Sequence, residues 1–98
     1  MAVYVIASYD ITDAEAYAGY VPAVMPLISK YNAEVIVADY DAQPLEGQKR
    51  GVYVVLKFAS EEDALAWYRD PEYEKPKHLR MSASANTNLV IAKEFVLP

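Results

Sequence analysis

Two segments of this sequence are apolar on both of their alternating faces, and that constrains the fold more than any other feature. From Ala2 to Tyr9, Tyr4 and Ile6 point one way while Val3, Val5 and Ala7 point the other. From Val52 to Phe58, one face carries Val52, Val54, Leu56 and Phe58, and the other carries Tyr53, Val55 and Lys57. A strand with one solvated face alternates apolar and polar; these two do not. The remaining strand signals are Glu34 to Asp39 and about Thr87 to Val96, and only two substantial helical patterns lie between the strands. The order is βαββαβ, an α+β class. Two helices cover one face of a four-stranded sheet, so the second face needs another cover. The simplest is the same face of an identical chain, giving a homodimer.

The helices carry their own signals. Thr12 with Glu15 forms a capping-box pattern, followed by an apolar stripe of Tyr17, Tyr20, Val24, Leu27 or Ile28, and Tyr31. Pro22 and Pro26 lie within this stripe and predict a kink between Tyr20 and Pro26, or two short helices end to end. Ser60 caps the second helix, with Glu61, Glu62 and Asp63 in its first turn. Ala64, Leu65, Trp67 and Tyr68 supply its apolar side, and Asp70-Pro71 stops it. The stretch from Glu72 to Ser84 reads as irregular or helical in short pieces, broken at Pro76.

Bulk properties exclude several functions. At 98 residues the chain makes one domain, residues 1–98, with limited capacity to bury a core alone. Its 54% hydrophobic content exceeds the ~45–50% of ordinary soluble domains, which again points to a further buried surface. Absence of cysteine removes disulfides, thiolate metal sites and a cysteine nucleophile; a single histidine, His78, removes an all-histidine metal site within one chain. No metal-ligand motif, phosphate loop or Ser–His–Asp spacing is present, and no metal or cofactor is expected. A net charge of −5 argues against a nucleic-acid partner. No apolar run reaches membrane-span length and no signal peptide is recognisable, so the expected location is cytoplasmic, with no membrane partner.

Several stretches together carry a resemblance: Asp10-Ile11-Thr12-Asp13 with Tyr17 and Tyr20, Pro26 with Lys30-Tyr31, Leu45-Glu46-Gly47, Val54 to Phe58, Trp67-Tyr68, and Asp70-Pro71-Glu72-Tyr73 with Arg80. In order and over nearly the whole chain, these resemble the bacterial domain-of-unknown-function family numbered thirteen-thirty. The resemblance implies a ferredoxin-like fold with a four-stranded antiparallel sheet, pairing as a dimeric α/β barrel, and implies no particular activity. Asn32-Ala33 stands where such chains usually have Gly-Gly, and Ala59 where they often have Pro. The wider superfamily includes cofactor-independent oxygenases, isomerases and haem-degrading monooxygenases. Trp67 and His78 fall in parts of the chain comparable to the Trp and His of the haem-degrading members, but Ser8 stands nearest to where those carry an Asn.

The candidate chemistry follows from residue type and place. Tyr17 and Tyr20 on the helix stripe are either core aromatics or the hydroxyl-bearing wall of a pocket between helix and sheet. Asp10, where the first strand ends, is a candidate base at the pocket mouth if burial raises its pKa. His78 is a candidate acid, base or ligand, or a solvated residue. Trp67 is a core aromatic or a ligand contact. Arg80 can hold a carboxylate bidentately, although an ion pair with Glu72 or Asp70 is the favoured reading. Asn88 is a candidate ligand contact that turn chemistry explains equally well. The functional expectation is a small-molecule-binding domain, or a cofactor-independent enzyme of oxygenase or isomerase type, acting on a small aromatic or carboxylated compound. The alternatives are a non-catalytic ligand-binding or interaction protein and, third, a haem-degrading monooxygenase.

Overall fold

A computed structural model describes residues 1–98. Four strands, β1 (Val3–Ile11), β2 (Glu34–Asp39), β3 (Val52–Phe58) and β4 (Ser84–Lys93), form one sheet in the order β2-β3-β1-β4. Every neighbouring pair is antiparallel. The helices are α1 (Ala14–Tyr17), α2 (Tyr20–Lys30), α3 (Glu61–Tyr68) and α4 (Glu74–Ser82), with a 3₁₀ turn at Pro71–Tyr73. Grouped as α1–α2 and α3–α4, they give the ferredoxin-like βαββαβ order.

The alternation within β1 and β3 decides which face the helices take. Val3, Val5, Ala7 and Tyr9 are buried on β1, as are Val52, Leu56 and Phe58 on β3. Tyr20, Val24, Leu27 and Ile28 of α2 lie at one-turn and two-turn spacing and pack toward this face. From α3, Ala64 and Trp67 join them. The other sheet face has no helix on it. Its Ile6 and Val90, paired across β1 and β4, are 41% and 48% exposed. All of β2 is exposed, as are Phe95, Val96 and Leu97 beyond β4.

Of the two forms expected for the first helical region, two short helices end to end is the one observed. The first helical stretch breaks at Ala18-Gly19, ahead of both prolines, rather than between Tyr20 and Pro26. A proline ring crowds the carbonyl four residues before it, and the break at Ala18-Gly19 spares Pro22 that clash, whereas Pro26 is carried inside α2. Restarting at Tyr20 places Pro22 in a first turn, where backbone N–H groups lack intrahelical partners anyway. After α3 the chain makes a 3₁₀ turn at Pro71–Tyr73 and begins α4 at Glu74; Pro76 lies in the first turn of that helix, which runs on through it rather than breaking there as expected. The cap of α1 is Asp13, whose carboxylate accepts from the Ala16 N–H at 3.1 Å, one residue beyond the Thr12 of the capping-box reading. The last strand runs from Ser84 to Lys93, three residues earlier than expected at each end, because α4 stops at Ser82 and Ala83 carries the chain straight back into the sheet. No helix is long and apolar enough to cross a membrane.

Candidate functional site

A cavity of about 240 Å³ lies between α2 and the helix-covered face of the sheet. Its floor is Val5 and Ala7 of β1, Val54 and Leu56 of β3, and Leu89 of β4. Its roof is α2, where Val24 and Ile28 face inward. Of the seventeen residues lining it, sixteen are hydrophobic and the remaining one is Arg80.

Arg80 reaches this place through the pitch of α4. Pro76 and Arg80 are four residues apart, share one face, and are the buried residues of that helix. The guanidinium carbon stands 5.5 Å from the centre of the Tyr9 ring and 5.9 Å from that of Tyr20. Arg80 is 2% exposed, yet its Nε and Nη1 have no hydrogen-bond partner. A guanidinium stays charged in proteins, and a buried charge without partners is costly. The aromatic faces recover a fraction of that cost. The expected ion pair to Asp70 or Glu72 is not made. Lys30 takes both carboxylates, at 2.8 Å and 3.8 Å.

Two tyrosine pairs stand at the cavity, with Tyr9, Tyr17 and Tyr20 lining it and Tyr73 behind Tyr20. The Tyr9 and Tyr17 hydroxyls are 2.6 Å apart, and those of Tyr20 and Tyr73 are 2.7 Å apart. In each pair one hydroxyl donates to the other, and the acceptor keeps its own proton for a further partner. Burial pushes the Tyr9, Tyr17 and Tyr20 hydroxyls up, so they remain neutral donors. Tyr20 is buried with its hydroxyl bonded internally, but a cavity does lie beside it. Trp67 also lines the cavity, packed against Tyr73 and Phe58 with ring centres 4.6 and 5.6 Å away, and its Nε1 has no partner.

Four residues singled out in the sequence, Tyr17, Tyr20, Trp67 and Arg80, therefore meet at one cavity. Three do not. Asp10 lies outside the lining, and its carboxylate accepts from the Asn86 Nδ2 and the Gly51 N–H, both at 2.8 Å, and from the Arg50 Nη1 at 3.1 Å. The Asn86 and Gly51 bonds, with Arg50 beside them, hold its pKa below the ordinary carboxylate value. That is the reverse of the raised value a base would need; Asp10 ties the end of β1 to the loop before β3. His78 is exposed on α4 in a separate surface groove with Ala23 and Lys75. It does not converge with Trp67. Asn88 is exposed and pairs with Ser8 on the face away from the helices, because Leu89, its neighbour, points into the cavity. The sequence reading passed over Tyr9. Its signal was present: Tyr9 continues the Val3, Val5, Ala7 alternation onto the helix-covered face.

Comparison with known proteins gives one family match and a group of structural likenesses. A family model described as Domain of unknown function (DUF1330) matches residues 2–95. No curated protein matches the sequence. Among solved structures, a protein of unknown function from Rhodopseudomonas palustris is similar with a TM-score of 0.83 at 17% identity, covering 98% of this chain and 84% of that one. The cofactor-independent oxygenase SnoaB from Streptomyces nogalater gives a TM-score of 0.70 at 8% identity, covering 98% and 95%. A dimeric protein of unknown function and ferredoxin-like fold from Bacteroides fragilis gives 0.60 at 11% identity, covering 95% and 96%. At these identities the likeness is one of fold.

Proposed function

The chain belongs to this domain-of-unknown-function family, and within that frame we propose that it is a small-molecule-binding domain whose cavity takes a small, largely apolar acid with its anionic end on Arg80. One observation carries the reading: a buried guanidinium with unpartnered nitrogens is the sole charge on an otherwise apolar cavity wall. Buried charges in folded proteins are paired, so an anion from outside is the missing partner. A carboxylate matches the planar fork of the guanidinium, and the spare protons of the tyrosine pairs offer further donors. The apolar remainder suits an alkyl or aromatic body.

A cofactor-independent oxygenase or isomerase on the same pocket is the second reading, since Arg80 would stabilise an oxyanion as charge developed on a substrate. The cavity lining holds no carboxylate and no imidazole, and its tyrosines are neutral donors, which favours binding over proton abstraction by the protein. The homodimer belongs to the same proposal. The helix-free sheet face, with Ile6 and Val90 open to solvent, is supported as its interface by the dimeric state named for the Bacteroides fragilis neighbour. Light scattering should then give twice the chain mass at micromolar concentration, and a stable monomer would refute the dimer. A cytoplasmic location is in keeping with the absence of cysteine.

Calorimetry with hexanoate and phenylacetate tests the ligand reading. Each should bind tenfold to a hundredfold more tightly than its neutral amide, since a hydrogen bond to a charged group contributes about 1.5–3 kcal/mol. Arg80→Met should erase that preference. Equal binding of acids and amides by the unaltered protein would refute the role of Arg80.

A further inference from the structure

A second, more open cavity of about 620 Å³ lies beneath α3 and α4 over the β1–β4 side of the same sheet face. It shares three lining residues with the first: Val5, Trp67 and Leu89. Val5 and Leu89 sit on adjacent paired strands, where Val5 opposes Ile91 and Leu89 opposes Ala7. They form a floor common to both spaces. Trp67 comes down from α3 onto that floor and is the one residue of the helical layer that faces both spaces.

The second cavity has a graded chemistry. Near Trp67 it is apolar, with Ala64, Leu65 and Ile91; its outer rim is charged, with Arg69, Glu74 and Lys77. Of the two rim cations, Arg69 is exposed to solvent and Lys77 is already engaged. Lys77 pairs with Glu74 at 3.2 Å, donates to the Tyr68 carbonyl at 3.4 Å, and lies 4.3 Å from the centre of the Tyr68 ring. The end beside Trp67, away from that rim, therefore suits an apolar chain. Trp67 itself has no hydrogen bond on Nε1 to fix its orientation and is held by ring packing alone.

We infer that the two cavities are halves of one channel divided by Trp67, that the second half is an apolar subsite for the far end of an acid anchored at Arg80, and that the indole sets how long that acid can be. This rests on the ligand reading above. With the indole in place, the far end of an acid cannot pass along the sheet floor from the first cavity into the second, and a longer apolar chain is left toward solvent at the exposed Val21, Met25 and Val35. To enter the second cavity, that chain has to displace the indole and run over Val5 and Leu89 toward Ile91.

The test uses straight-chain alkanoates from butanoate to decanoate, titrated by calorimetry into the full-length protein. For the unaltered protein, affinity should rise through the short acids and fall at least tenfold by decanoate. Trp67→Ala and Trp67→Phe should move that fall to longer chains and bind decanoate at least tenfold more tightly than the unaltered protein does. Trp67→Phe keeps a ring against Tyr73 and guards against loss of the fold in Trp67→Ala. A further readout needs no variant, because Trp67 is the only tryptophan in the chain. Saturating decanoate should shift its emission to the red, and hexanoate should not. Short acids that bind with an unchanged length profile in both variants, or identical emission with the two acids, would overturn the gauge while leaving the ligand reading intact. If no alkanoate binds the unaltered protein at any length, both fall together.

Discussion

Asp70 and Arg80 are the two charged residues buried in this protein, one capping the 3₁₀ turn before α4 and the other on α4, and they are treated in opposite ways. Asp70 is fully provided for. Its Oδ1 accepts from the Glu72 N–H at 2.8 Å and so caps the 3₁₀ turn, while its Oδ2 accepts from the Lys30 Nζ at 2.8 Å and the Tyr31 hydroxyl at 2.6 Å. These bonds pin the end of α2 to the turn before α4. Arg80 has two aromatic faces and the Tyr73 hydroxyl beside it, and its Nε and Nη1 have no partner. Equal burial thus separates into two roles. A buried charge whose bonds are all made by the protein holds the fold together; one with bonds left unmade beside a cavity is, on the proposed reading, kept for a partner from outside.

The largest effect should come from Asp70→Ala, which strands Lys30 and Tyr31 and uncaps the turn. Thermal unfolding should show it to be the least stable of the variants considered, with little change in acid preference once folded. The same site gives a pH signature. The Lys30, Tyr31 and Glu72 bonds, in that order, hold the Asp70 carboxyl at about 2 against an ordinary 3.8. A lowered folded-state pKa stabilises the protein fully above the unfolded value, and that contribution is lost as pH falls from about 3.8 toward about 2. Asp70→Asn should flatten the stability profile in that window. An unchanged acid profile would break the contrast from the Asp70 side.

Smaller effects sharpen it. Tyr20→Phe leaves the Tyr73 hydroxyl unpartnered and should cost ~1 kcal/mol by denaturant unfolding while also weakening acid binding. Asp10→Asn weakens the bonds to Gly51 and Arg50 and should lower stability modestly, with affinity measured by calorimetry unchanged. His78→Ala, on an exposed groove, should alter stability by less than ~0.5 kcal/mol. Haem titration should likewise give no Soret shift that depends on His78, and a specific one would return the haem-degrading reading to contention.

The parts of this account differ in how far they could be read in advance. The two-faced strands β1 and β3 and the βαββαβ order follow from local alternation and caps, and β2 and β3 have the expected boundaries. Two short helices end to end were among the expected forms of the first helical region; local pattern missed where the breaks fall, since Pro22 and Pro76 sit in first turns while Pro26 is carried inside α2. The site was legible in its residue types and illegible in its pairing. Arg80 next to an acidic D-P-E stretch reads as an ion pair, yet Lys30, forty residues away in sequence from Asp70, takes that carboxylate across the fold. Nothing local to Arg80 signals the competition. Asp10 looks like a free carboxylate at a strand end until Asn86, seventy-six residues away in sequence, is brought against it. Chemistry made from residues remote in sequence is what local pattern leaves out.

The most direct measurement is the stability of Arg80→Met by denaturant unfolding, set beside its affinity for hexanoate. Replacing a buried, unpaired charge with an apolar side chain of similar length should leave stability unchanged or raise it by ~1 kcal/mol, because the desolvation cost disappears. Hexanoate binding should be lost in the same variant. Gain or parity in stability together with loss of binding is the signature of a residue kept for its ligand. A loss of ~3–5 kcal/mol, the scale of breaking a satisfied buried pair, with hexanoate affinity unchanged, would show instead that Arg80 is a structural cation and that the cavity beside it is not an acid site.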